Sequence, residues 1–279
     1  MLNSTEQLSQ CNVRQLANLP DFEQVEHLHR TTAPSIPAYN LIHGHCVVIA
    51  TISWQLAHHC NMLLKAQCAA SSAASSAASP MSQVLQEHAK QAQACMRELI
   101  GNNCDDLPPV QGGCVPAQYI DEYAALVGGL LHDIGTYFVL ESDGSERAGG
   151  LLRFDGPRYI LHGLRGYNYL IDCGFSEDAA QFARNHTGVG LTREQVLTQK
   201  LPLPASDYVP QTIEQEIVMV ADKYNSKSIP PRFLSVEAYR RKAARFGKEN
   251  AHRWMQLVAK YGKPDVEALA KCFNMRIDA

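Results

Sequence analysis

Residues 128–135 read GGLLHDIG and close a longer apolar stretch, AQYIDEYAALVGGLLHDI, over residues 117–134. The spacing predicts a helix that becomes almost wholly apolar towards its end. That end delivers an imidazole and a carboxylate, His132 and Asp133, side by side. A charge on an apolar helix must be paired or metal-bound, because burying it alone is costly. The same combination recurs outward along the chain: HCVVIA around His45, YILHGL around His162, QFARNHTG around His186 and IVMVADKY around Asp222. Imidazoles and carboxylates are the usual ligands of Zn, Mn, Fe and similar ions. Each position also has an ordinary reading. A histidine on an apolar helix is commonly a hydrogen-bonded core residue. Asp222 could simply pair with Lys223, and His132-Asp133 before Gly135 could be capping and tight packing. Six such residues in order weigh more than any one of them.

The rest of the chain reads mainly as helices. FEQVEHLH (22–29) predicts a short one, broken by TTAPSIPA, where proline removes a donor and restrains its predecessor. A long, largely buried helix is expected from about Tyr39 to Leu64, and an amphipathic one over 82–100. Between them lies the Ala/Ser run AASSAASSAAS, residues 69–79, then Pro80. It reads equally as a helical extension or a linker. GNNCDDLPPVQGGCVP (101–116) is loop-like, and ESDGSERAGGLLRFDGP (141–157) reads as an irregular excursion. Further helices are expected at about 159–172, 176–185, 192–198 and 211–227, with Ser176 as a start signal and Gly174 and Gly188 as stops. Two or three more should fill 235–274, with Trp254 and Leu257 facing a core. Strand alternation is almost absent. The expected fold class is all-α, one domain carrying an insertion.

Composition agrees with a folded domain. The chain has 279 residues, 46% hydrophobic and 19% charged, which argues against wholesale disorder. A net charge of -3 gives no compositional argument for nucleic-acid or anionic-membrane binding. No apolar run reaches about 18 residues without a polar break, and MLNSTEQLSQ lacks the marks of a secretory signal. Nine cysteines with no CxxC pair argue against a disulfide scaffold or zinc knuckle, so reduced thiols and a cytoplasmic location are expected. P-loop, Rossmann and GxSxG signatures are absent.

His45, then His132-Asp133-Ile134-Gly135, then Asp222 resemble the H…HD…D pattern of the HD-domain metal-dependent phosphohydrolases. His162 and His186 match the two further histidines of binuclear members, and the HDIG spelling is complete. Longer wording, including HGLRGYNYLIDCGFSEDAAQFARNHTGVGLT and LPASDYVPQTIEQEIVMVADK, is similar to small HDIG proteins of archaea and bacteria. The likeness spans roughly 40–65 and 117–227. It implies an HD-domain helical bundle over 39–230, an N-terminal segment over 1–38 and a C-terminal helical extension, 231–279, packed on the domain. His45 and His132 stand 87 residues apart (132 − 45), more than the compact relatives need. The excess, about 66–115, reads as an insertion that could cover the active-site mouth or form a homo-oligomer contact. The 141–157 excursion could shape substrate access.

The resemblance also implies a ligand set. One ion would be held by His45, His132, Asp133 and Asp222, and a second by His162 and His186 with Asp133 bridging. Such a pair of divalent ions (Fe, Mn, Zn, Co or Mg) about 3.5–4 Å apart would generate a bridging hydroxide to attack phosphorus. The implied activity is hydrolysis of a small phosphomonoester or phosphodiester, a nucleotide being one candidate, with no nucleic-acid or membrane partner. Besides Asp133, the candidate catalytic residues are Arg165, three residues after His162, and Lys223, beside Asp222; each also reads as an ordinary surface lysine or arginine. Asn185 and Thr187 flank His186 and could bond ligand or water. His43, His58 and His59 are not expected to be ligands, and Glu216 stands where close relatives often carry lysine. Two other readings remain at this point: a diiron oxygenase with the same six ligands, and a non-catalytic ligand-binding domain.

Overall fold

The structure, a computed structural model, describes residues 19–71, 81–101 and 107–278. Most of the Ala/Ser run, residues 72–79, lies outside these, as do residues 1–18 of the N-terminal segment and 102–106 of the expected loop. The first described helix, α1 (Phe22–Thr32), starts on a capping box. The Asp21 carboxylate accepts the Gln24 N–H at 2.7 Å, and the Gln24 side chain accepts the Asp21 N–H at 3.0 Å. There follow α2 (Ile36–Ser71), α3 (Gln83–Ile100) and α4 (Glu122–Leu131). The second half holds α5 (His162–Asp172), α6 (Glu177–Arg184), α7 (Arg193–Thr198) and α8 (Ile213–Ala221). The C-terminal extension holds α9 (Val236–Ala244), α10 (Lys248–Tyr261) and α11 (Val266–Cys272).

The fold is all-α with short strands at its edges. The 141–157 excursion contains an antiparallel pair, β1 (Leu140–Asp143) and β2 (Leu152–Phe154). The chain after α8 forms β3 (Asn225–Ser226), paired antiparallel with β4 (Arg232–Leu234), which pairs in parallel with β5 (Arg276–Asp278). Strands of two to four residues are too short to show alternation, so the sequence gives no sign of them.

Helix α4 is the axis of the molecule: all ten of its residues are buried. One side packs with Ile42, Val25 and Met96 through Leu126 and Leu130; the other, through Ala124 and Ala125, joins Ile49, Ile52 and Met219. Each fully buried Leu or Ile contributes about 1.5–3 kcal/mol. Helix α2 crosses α4 closely, since a Cβ on Gly129 would come within 2.5 Å of the Ala50 Cα. By length and composition α2 passes for a membrane-crossing helix, with a mean hydropathy of 1.2. It is instead a core helix, packed on α4 and α8.

The insertion packs on the bundle. Ala92, Cys95 and Met96 of α3 are buried in the same core as Leu126 and Leu130. Its polar clasp is His88, whose Nδ1 lies 2.7 Å from an Asp121 oxygen, while the other Asp121 oxygen caps α4 by accepting the N–H groups of Tyr123 and Ala124 at 3.0 Å. The C-terminal extension shares a core with the bundle as well. Trp254, Tyr261 and Leu269 are buried with Ile217, Val220 and Tyr224. Glu216 supplies the polar tie, 3.0 Å from the Arg253 guanidinium, 2.6 Å from the Tyr261 hydroxyl and in contact with the Lys260 ammonium. That is the charge contact made by the acidic residue noted in the sequence.

Two expectations follow. A methyl on Gly135 would stand 2.0 Å from the His162 carbonyl oxygen and 2.3 Å from the Gly166 nitrogen. Gly135→Ala should therefore destabilise the fold by about 3 kcal/mol, read as a drop in the urea midpoint. The His88 pKa is raised by its hydrogen bond to Asp121, against the opposing effect of burial. A raised folded value means that protonated His88 stabilises the docked α3 below the unfolded value of 6.5, and that this stabilisation is lost as pH climbs through the folded value. Amide exchange in α3, corrected for its intrinsic rate, should accelerate as pH rises above 6.5 in the wild type and not in His88→Gln. Equal pH dependence in the two would refute the clasp.

Candidate metal centre

The histidines and aspartates singled out in the sequence meet in one buried place. Helix α4 stops at Leu131, short of the expected end at Ile134. His132 caps it, and Asp133 leaves the helix at φ −112°, ψ 13° before a short 3-10 turn, Ile134–Phe138. Consecutive side chains on a continuous helix diverge by about 100°. The break lets His132 and Asp133 face the same centre. The same device recurs at Asp222, where α8 gives way to a 3-10 turn, Asp222–Tyr224, instead of running to residue 227.

The donor atoms form two sets. In the first, His45 Nε2 lies 3.1 Å from Asp222 Oδ1, 3.3 Å from His132 Nε2 and 3.3 Å from Asp133 Oδ2. His132 Nε2 lies 3.5 Å from Asp222 Oδ1 and 3.6 Å from Asp133 Oδ2. In the second, His162 Nε2 and His186 Nε2 are 2.9 Å apart and lie 3.5 and 3.6 Å from Asp133 Oδ1. Donors bound to one ion at about 2.0–2.2 Å in tetrahedral or octahedral array stand about 3–3.5 Å apart. Both sets fit that spacing, and the two oxygens of Asp133 serve one set each.

The imidazoles are held in one tautomer. His132, His162 and His186 each direct Nδ1 at the carbonyl three residues back, Gly129 at 2.7 Å, Tyr159 at 2.5 Å and Ala183 at 2.8 Å. These are carbonyls at or near helix or turn ends. His45, in mid-helix, has no such carbonyl and uses Asn225 Oδ1 at 2.8 Å, while the Asn225 amide nitrogen donates to the Arg232 carbonyl at 3.3 Å. Each Nδ1 thus acts as the donor, and each Nε2 lone pair points inward.

Charge is balanced by two lysines. Burial opposes ionisation of Asp133, but the Lys227 ammonium on Oδ2 and the nearby His132 hold its carboxyl well below the usual range. Asp222 is likewise held low, against burial, chiefly by the Lys223 ammonium. Burial drives the His162 pKa down to about 3, against the pull of Asp133. Burial also lowers that of His186. These two histidines are therefore neutral and the aspartates ionised at neutral pH, the forms a metal requires.

Lys223 donates to Asp222 at 2.5 Å and to the His186 carbonyl at 2.9 Å, so it ties two ligand-bearing segments together. Arg165 does not reach the centre: it donates to the Phe138 carbonyl and is absent from the cavity wall. Thr187 lines the cavity, whereas Asn185 is buried behind it, 2.7 Å from Gln181 Oε1. His43, His58 and His59 turn to Glu26, Glu122 and the Gly112 carbonyl. Lys227 and Asn225 escaped the sequence reading, because both fell inside the helix expected over 211–227, where each reads as an ordinary polar position.

The cluster opens on a cavity of about 560 Å³. His162, His186, Asp222, Lys223 and Lys227 line it, together with Phe154 and Gly156 of the excursion, Tyr159 and residues of α9. No described residue of the 66–115 insertion lines it.

Lys227 rests where an ion would engage Asp133. Lys227→Met should lower metal-free stability by about 3 kcal/mol, because it leaves a buried carboxylate unpaired. It should also strengthen Mn²⁺ binding, because the competing ammonium is gone. Thermal unfolding with and without Mn²⁺ should show a larger metal-induced rise in Tm for the variant. An equal rise would refute the competition.

Residues 104–226 match the HD domain family. A 103-residue stretch is 37% identical to an uncharacterised protein of Methanocaldococcus jannaschii, covering 37% of this chain and 49% of that protein. A 139-residue stretch is 30% identical to a tRNA (cytidine(56)-2'-O)-methyltransferase of Picrophilus torridus, covering 46% of this chain and 34% of that protein. The chain thus spans about half the length of the first relative and about a third of the second. No solved structure matches it. The family match takes in His132, Asp133, His162, His186 and Asp222, and the fold adds His45 from α2 to the same centre. Apart from His45, the histidine–aspartate cluster thus lies inside the segment of this chain that matches the HD domain family.

Proposed function

We propose that this protein is a divalent-metal-dependent phosphohydrolase acting on a small phosphomonoester or phosphodiester. One observation carries the reading: two sets of metal-ligand spacing share the two oxygens of Asp133, with every histidine tautomer held by its Nδ1 partner. Two ions held there would lower the pKa of a water between them and neutralise charge on phosphate oxygens. His45, His132, Asp133 and Asp222 would hold one ion, and His162, His186 and Asp133 the other.

The residues around the cluster have distinct tasks in this reading. Lys223, with its ammonium on Asp222, keeps that carboxylate ionised and oriented. Lys227 is the cation that must leave Asp133 Oδ2, and its position in the cavity wall lets it turn to a phosphate oxygen. Phe154, Tyr159 and Tyr239, which line the cavity, would limit water at the reacting centre. The partner is a small phosphorylated molecule, and the protein works in the cytoplasm. Arg165 takes no part in substrate binding here.

The test is a panel of phosphoesters assayed with Mn²⁺, Mg²⁺, Fe²⁺ and Co²⁺, with metal content measured on the same samples. His162→Gln should lower bound metal from two ions to one while the first set stays intact. Turnover should fall by about 10²–10³-fold or more, with an unchanged circular dichroism spectrum. Iron with O₂ uptake and no phosphoester turnover would instead favour the oxygenase reading. Absence of metal after loading would refute both.

A further inference from the structure

The cavity is larger than a phosphate requires: about 560 Å³ is the size of a whole small-molecule site. Much of its wall away from the histidines comes from α9. Tyr239, Lys242, Ala243 and Phe246 fall at i, i+3, i+4 and i+7, and all four line the cavity. The Phe246 N–H still bonds to the Ala243 carbonyl at 3.0 Å, which keeps it in the last turn of that face. Phe246 is 64% exposed, an aromatic ring left at the edge of the cavity.

The charges of the wall do not cancel. Its ionic groups are Asp222, Lys223, Lys227 and Lys242. Lys223 sits on Asp222, and Lys227 sits on Asp133 just beneath. The Lys242 ammonium has no hydrogen bond or ion pair among the described residues and lies 6.0 Å from the Tyr239 ring centroid. Lys242 is an exposed residue, yet protein crowds its side chain. That desolvation, followed by repulsion from Lys223, Lys227 and Arg245, lowers its pKa, while Asp222 pulls the other way. An unpaired ammonium among other cations in a largely apolar cavity is poorly placed unless an anion joins it.

We propose that Lys242 is a specificity-determining residue that binds a second anionic group, distinct from the scissile phosphate, on a substrate whose ring or other apolar body lies along Tyr239 and Phe246. The phosphohydrolase reading places the first phosphate at the histidine–aspartate cluster, and the inference rests on it to that extent. Lys242 stands on a different helix from all six metal-ligand candidates, so it reads the far part of the substrate and not the reacting atoms. The C-terminal extension would then be the element that selects the substrate.

The test uses the full-length, Mn²⁺-loaded protein and two non-hydrolysable probes, benzylphosphonate and para-carboxybenzylphosphonate. They share the phosphonate and the ring and differ by one carboxylate. Titration calorimetry should find the carboxylated probe bound about tenfold more tightly by the wild type, as a hydrogen bond between charged groups gives. Lys242→Met should abolish that preference and leave benzylphosphonate affinity unchanged, and Lys242→Arg should keep most of it. Equal affinities in the wild type, a preference that survives in Lys242→Met, or no binding of either probe would each overturn the proposal. Discriminating binding without turnover of the matching aryl phosphates would remove the hydrolase reading and leave the anion site standing. Turnover without discrimination would do the reverse.

Discussion

The buried charge of Asp133 is the constraint on which the rest depends. Its side chain is fully buried, and an ionised carboxylate there is tolerated only with a cation at hand. Lys227 meets that need in the present structure, and two ions would meet it on the functional reading. The surrounding construction serves to deliver both oxygens of one carboxylate to two groups of imidazoles. Helix α4 must stop before Asp133. Gly135 must lack a side chain so that α5 can come within reach with His162. Long apolar helices on either side of α4 must exclude water firmly enough for the charge to matter. The HDIG wording is in this sense one mechanical unit: ligand, ligand, core anchor, close-approach residue.

The histidines show how such a site can be rigid before anything binds. Three of them take their orientation from a carbonyl three residues earlier, near a helix or turn end. A helix terminus thus does two jobs, ending the element and fixing a tautomer. His45 is the exception because it stands inside α2, where every carbonyl is used. Asn225 replaces the missing carbonyl, and β3 and β4 hold Asn225 through the Arg232 carbonyl. The small sheet, a minor feature of an all-α protein, thereby fixes a ligand far away in sequence. It also fastens the C-terminal strand, since β4 pairs with β5.

Much of this was legible in the sequence, and the limits follow from physical range. The six donors stood out because ionisable groups in apolar helices demand an explanation whatever the fold. Helices α3, α6 and α7 were readable to within a residue or two from periodicity and, at α6, from the Ser176 cap. The ends of α4 and α8 were not, because apolar periodicity continues past the point where the backbone turns. Lys227, Asn225 and Lys242 were invisible for a different reason. Each is a polar residue whose local sequence suits a solvent-facing turn or helix face, and only tertiary packing brings it to the cavity. Arg165 shows the converse. Its spacing from His162 put it on a plausible face, but Phe138, just after the HDIG turn, offers a nearer acceptor.

The cations around the centre divide by mobility. Lys223 is held by two acceptors, one of them a backbone carbonyl, so it cannot move without loosening Asp222 and the His186 segment. Lys227 has the Asp133 carboxylate as its ion-pair partner and the face of Tyr159 at 5.9 Å, so an ion held by Asp133 would leave its ammonium free to face the cavity. Lys242 is already there. A site of this kind gains positive charge in the cavity as it fills with metal: the ions bring their own, and the displaced ammonium adds another facing the substrate. An anion entering the loaded site would therefore meet more attraction than the net charge of the chain implies, and that attraction would vanish on removal of the metal. The mildly acidic overall balance and an anionic substrate are compatible because the field that matters is local.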